Sequence, residues 1–310
     1  MSAAPPTLPP NLLGIPFGLA GLSTAWLYAA RHDLAPEAIG DAVAVVAAVV
    51  WVVVLAAYLR KGPRAVAADL TDPILGPFAG LAFVVPLVLV AGGVVPHAHD
   101  LGVVLVDVLI ALIVVGAGWY TGQWIYGPLR IEQLHPGYFL PSVAGGLLSA
   151  AAAGAAGQER LAYTMLGLGG ICWLILGSMI LGRLMFGPQL PAPLLPTLAI
   201  EVAPAAVATQ AYVAIRGDHV DAVVAVLGGY GLMMVLAQLR LIPLYARLSF
   251  VPGFWSFTFS WAAVVTAALH WLAVLEPSGW KACAYILLAA LTALIGAIAA
   301  RTVAFFARPA

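Results

Sequence analysis

Ten apolar stretches of about twenty residues follow one another along the chain, parted by short polar breaks, and they predict ten membrane-spanning helices. The spans fall at roughly 11–30, 41–60, 74–95, 101–121, 138–157, 161–184, 197–215, 220–240, 254–274 and 280–305. A helix rises about 1.5 Å per residue, so each stretch is long enough to cross a bilayer core. Prolines alternate with span number. Pro16, Pro77, Pro86, Pro141 and Pro204 interrupt the first, third, fifth and seventh spans, whereas the even spans hold none within those limits. Proline removes an amide donor and kinks a helix, and lipid tolerates this only where protein or a wet cavity satisfies the freed carbonyl. The odd spans are therefore expected to form an inner ring and the even spans a lipid-facing outer one, a pore-like plan.

The connections are short, so successive antiparallel spans read as five αα-hairpins. Five hairpins in one orientation suggest parallel repeats about an axis rather than two inverted halves. The longest connections are Arg60–Pro73, Gln123–Gly137 and Met185–Pro196; the four prolines of the last, Pro188, Pro191, Pro193 and Pro196, predict an extended linker. The chain reads as a single transmembrane domain over 1–310 with a short proline-rich leader, 1–10. That leader lacks a basic segment and a cleavage site, so the first span is expected to be retained.

Composition agrees with a polytopic membrane protein, at 63% hydrophobic and 8% charged residues. Zero net charge offers no basic surface for nucleic acid. Basic residues set the orientation. Arg60, Lys61, Arg64, Arg130, Arg183, Arg240, Arg247, Arg301 and Arg308 fall on the side of the termini, against Arg31, Arg160, Arg216 and Lys281 on the other. Positive charge marks the cytoplasmic face, which puts both termini on the cytoplasmic side of a cell membrane. Cys172 and Cys283 lie within spans and read as small buried apolar residues.

The first span reads Gly14-Ile15-Pro16-Phe17-Gly18-Leu19-Ala20-Gly21-Leu22-Ser23, and the fifth opens with His135-Pro136-Gly137-Tyr138-Phe139-Leu140-Pro141. The seventh carries Ala203-Pro204-Ala205-Ala206-Val207, the eighth Gly229-Tyr230-Gly231 ahead of Leu239-Arg240-Leu241, and the ninth Trp255-Ser256-Phe257-Thr258-Phe259. As an ordered set covering nearly the whole chain, these resemble the family of bacterial TehA-type tellurite-resistance proteins, plant guard-cell slow anion channels and yeast dicarboxylate and sulfite transporters. The resemblance implies a homotrimer in which each protomer has its own pore through five inner helices, closed midway by a phenylalanine of the ninth span. That residue carries over to Phe259, with Phe257 the neighbouring candidate. Two residues apart on a helix point about 200° apart, so only one can face the axis.

The further pore-lining candidates are Pro16, Gly18, Pro86, Pro141, Glu201 and Pro204. Glu201 stands inside the seventh span, three residues before Pro204, where the family pattern is apolar. An ionisable group at such depth is costly. It reads either as a pore-facing carboxylate that binds a proton or repels anions, or as a structural one bonded to a neighbouring helix or wetted at the interface. Asp107, in the fourth span, is expected to face inward or to pair. His97, His99 and Asp100 cluster in one loop without a cysteine, which reads as a solvated loop; no metal or other cofactor is expected. His135 reads as a helix cap or interface anchor, and His270 as a residue near the outer interface. Gly167, Gly169, Gly170 and Gly177 of the sixth span suit close helix packing, within a protomer or between protomers.

No Lys or Arg lies midway along an inner span, so an anion would meet backbone dipoles and helix ends rather than a fixed cation. Weak binding permits fast exit. These features favour a gated anion channel or channel-like facilitator for small inorganic or organic anions. A proton-coupled carrier for dicarboxylate, sulfite or tellurite-like oxyanions, with Glu201 as its coupling group, is the alternative. The clustered aspartates of an intramembrane transferase and the HExxH of a metalloprotease are both missing, so no enzyme is expected.

Overall fold

A computed structural model describes residues 8–307. Residues 1–7 of the expected leader, and Arg308 of the charge count, lie outside the described residues. Every regular element among the described residues is helical. Among the described residues ten helices are long and apolar enough to cross a membrane: Pro10–Arg31, Glu37–Leu59, Gly76–Val94, His99–Tyr126, Pro136–Ala155, Glu159–Phe186, Ala192–Arg216, Ala222–Tyr245, Pro252–Leu275 and Trp280–Phe306.

Odd and even spans differ in backbone as well as in sequence. The five even spans are uninterrupted α-helices. Each odd span opens with 3₁₀ turns: Pro10–Leu13, Gly76–Gly80, Pro136–Tyr138, Ala192–Val202 and Pro252–Trp255. The third span then passes Pro86 and widens into a π turn, Val90–Val94, and the fifth does so at Leu140–Ala144, around Pro141. Such irregular backbone survives in a membrane protein only where other protein or water meets its polar groups. Burial follows the same division. Buried residues make up 44–78% of the apolar stretch of each odd span and 17–28% of each even one.

Contacts between odd spans run first to third, third to fifth, fifth to seventh, seventh to ninth and ninth back to first. Their 3₁₀ openings also touch one another, so the five odd spans begin at a common end of the molecule, here the opening end. Each even span packs against the odd span before it. Spans one and nine approach closely because Gly18 and Gly21 face Thr258, Phe259 and Ala262. A Cβ on Gly21 would stand 2.9 Å from both the Phe259 ring and Ala262 Cβ.

Four expectations need correction. The eighth helix continues to Tyr245 and so contains Pro243, which the shorter expected span left out; the bond an amide there would make to the Leu239 carbonyl is lost, but only two helical residues follow it. Pro193 and Pro196 do not form an extended linker but sit in the 3₁₀ opening of the seventh span, since proline's fixed φ suits a first helical turn. The Arg60–Pro73 connection holds a further helix, Pro63–Thr71. Cys172 is half-buried and Cys283 exposed, because even spans turn a broad face away from the protein.

Candidate functional site

Two cavities lie end to end inside the bundle. The first, of about 50 Å³, is bordered by Asn11, Phe78, Pro204, Gly253, Ser256 and neighbours from the first halves of the odd spans, and none of its lining side chains is charged. The second, of about 260 Å³, lies toward the far end, where Tyr28, Arg31, Thr209, Gln210, Asp218, Thr266 and His270 border it. All five odd spans contribute to each cavity. Phe259 is the one residue common to both. Its ring lies flat on that of Phe17, with centroids 3.6 Å apart and planes 9° from parallel, and only 8% of the residue is exposed.

Local sequence explains this placement. Trp255 ends the 3₁₀ opening of the ninth span, and its Nε1 donates to Thr302 Oγ1 of the tenth at 2.8 Å, fixing the start of the helix. Thr258 Oγ1 donates back to the Trp255 carbonyl at 2.7 Å. Phe257 turns the other way, onto Tyr245 (4.8 Å, 85°) and Phe254 (5.7 Å, 17°), and borders neither cavity. Of the other sequence candidates, Pro204 borders the first cavity. Pro16, Gly18, Pro86, Pro141 and Glu201 border neither. Pro16 and Pro141 are buried, Pro86 is half-buried, and Gly18 is covered by Thr258.

The voltage-dependent anion channel family, SLAC1, matches residues 7–303. The chain belongs to that family. It is also 29% identical over 275 residues to the tellurite resistance protein TehA homolog of Haemophilus influenzae, a match covering 84% of this chain and 80% of that one. As a SLAC1-family protein the chain is a multi-pass membrane protein with an anion channel or transport role.

Other polar groups of this SLAC1-family chain sort around the cavities. Glu201 is 4% exposed, and its Oε1 has no hydrogen-bond partner among the described residues. Asp107 is exposed and accepts a hydrogen bond from Gln158 Nε2 at 2.7 Å: it pairs but does not face inward. His135 caps the fifth span. Its Nδ1 accepts from the Gly137 amide at 3.1 Å and its Nε2 stands 3.2 Å from the Ile74 carbonyl. Burial pushes the imidazole down to about 4, assisted by the Arg183 charge. His270, near the far end of the ninth span, is 2% exposed, covered by the seventh-to-eighth loop and Tyr28.

His97, His99 and Asp100 do not form a donor cluster. Among the described residues one group brings three metal-type donors together, Glu37, Asp41 and His97, within 4.8 Å of one another. Gly169 packs on Gly146 and Leu147, and Gly177 against Trp173, whereas Gly167 and Gly170 meet nothing within 4 Å. The sequence reading missed Phe17 and the His270 network. Phe17 stood inside the quoted first-span motif, yet nothing in its spacing told a stacked partner from packing. The His270 network joins residues 242 positions apart in sequence, Tyr28 and His270, which no local pattern connects.

Proposed function

We propose that this chain is an occluded anion channel in which Phe259, seated on Phe17, plugs a path running through the five odd spans. The observation that carries this is the position of the Phe259 ring between two cavities that share no other residue. Helix polarity supports it. All five odd spans begin at one end, so their positive dipole ends face an anion arriving there. The charge bias supports a plasma or inner membrane location with that end and both termini in the cytoplasm. Family membership supports a trimer, with a separate path in each protomer.

With no charged side chain bordering the first cavity, selection falls to dehydration cost. Weakly hydrated anions such as nitrate pass more readily than fluoride, and equal permeability of the two contradicts this. In a planar bilayer the wild type is near-silent and Phe259→Ala gives a large, ohmic, anion-selective current. Normal folding with no current from either protein overturns the channel reading.

A second reading has one observation in its favour: the buried, unpartnered Oε1 of Glu201 suits a proton-binding group of a carrier for dicarboxylate, sulfite or tellurite-like oxyanions. Against it, Glu201 borders neither cavity. The carrier reading requires flux that follows a proton gradient and is lost in Glu201→Gln. The channel reading predicts that Glu201→Gln leaves Phe259→Ala currents within about twofold.

A further inference from the structure

We propose that the far cavity holds a proton-controlled anion-binding site in which His270 is the switch and Tyr28 the donor it releases; this rests on the channel reading above. His270 projects into the second cavity from the ninth span and is almost wholly covered. Its Nε2 lies 3.2 Å from the His219 carbonyl oxygen, an atom that can only accept, so Nε2 carries the hydrogen. Nδ1 of the neutral ring is then an acceptor. It accepts a hydrogen bond from the Tyr28 hydroxyl at 3.1 Å. Asp218 Oδ1 stands 3.4 Å from the same nitrogen, and two acceptors face each other without a hydrogen between them.

Uptake of one proton at Nδ1 resolves that opposition. The imidazolium donates Nε2–H to His219 and Nδ1–H toward Asp218, and every ring donor is satisfied. Tyr28 loses its acceptor, and its O–H turns into the cavity. The groups facing His270 from each neighbouring element are Tyr28 and Arg31 at the end of the first span, His32 tilted against Tyr28 at 4.7 Å, and Asp218 and His219 of the seventh-to-eighth loop. Once His270⁺ and Asp218 offset one another, Arg31 remains beside the freed hydroxyl. A guanidinium and an O–H donor at one wall suit a small monovalent oxyanion or halide. Acid on the far side, outside the cell by the charge bias, thus loads the path with anion.

The test uses the full chain in planar bilayers on the Phe259→Ala background with dilute nitrate. The far-side pH is lowered from about 7.5 to about 5.5. The expected result is a rise in current of roughly threefold or more. His270→Gln removes the rise, and His270→Arg holds the current high at both pH values. Tyr28→Phe leaves the charge but lacks the donor, so it blunts the rise and also serves should His270→Gln fail to fold. A current independent of far-side pH, or a pH response that survives both His270→Gln and Tyr28→Phe, overturns the inference while leaving the channel reading intact. No current from Phe259→Ala overturns the channel reading and this site with it.

Discussion

Phe259 and Phe17 are held face to face rather than in the offset or edge-on arrangement that aromatic pairs prefer. Their neighbours impose this. Gly18 and Gly21 bring the first and ninth spans so close that the two rings have little room to slide. His135 is fixed by the opposite kind of constraint, a complete set of partners. Its neutral tautomer donates from Nε2 to Ile74 and accepts at Nδ1 from Gly137, so a second proton would set two donors against each other. The folded group titrates at about 4, whereas an unfolded histidine titrates near 6.5. Between those values the unfolded chain binds more protons, so stability is complete above about pH 6.5 and declines toward pH 4. The thermal midpoint in detergent is expected to fall over that window, and the fall to shrink in His135→Gln. A midpoint that stays level to pH 4 contradicts it.

Among the elements, the hydropathy pattern and the placement of proline carried most of what the sequence told. Runs of twenty apolar residues located all ten membrane-length helices, and the prolines marked four of the five spans that leave the regular α form, the ninth having its Pro252 just before the expected limits. What they could not tell was the kind of departure. Pro141 sits in a π turn, Pro86 precedes one, and Pro16 lies in plain α-helix, because the neighbouring span decides where the freed carbonyl finds company. The same limit applied to the proposed lining. Prolines marked irregular spans, but of those weighed only Pro204 borders a cavity, since a kink bends a helix without turning the proline ring toward the space it opens.

Glycines divide by element in a testable way. Gly18 of the first span is covered by Thr258, whereas Gly116 of the fourth meets nothing within 4 Å. Gly18→Ala should therefore destabilise by about 1–3 kcal/mol through overpacking, and Gly116→Ala should stabilise slightly, by about 0.5–1 kcal/mol, through helix propensity. Unfolding of the two variants in matched detergent checks this. Equal effects would mean that the first and ninth spans are not interlocked.

At the scale of the whole molecule, irregular helices wall both cavities and regular ones surround them, and no even span reaches either lining. The proposed channel accordingly concentrates its function at one short barrier. If the two cavities are parts of one path, the height of that barrier depends on the volume of a single side chain. The most direct measurement is the nitrate conductance of purified protein in a bilayer as residue 259 is changed from Phe through Leu and Val to Ala and Gly. The account predicts a near-silent wild type and a conductance that climbs steadily as side-chain volume falls, with anion selectivity kept throughout. Well-folded variants whose conductance is uniformly absent, or unrelated to the size of residue 259, would contradict it.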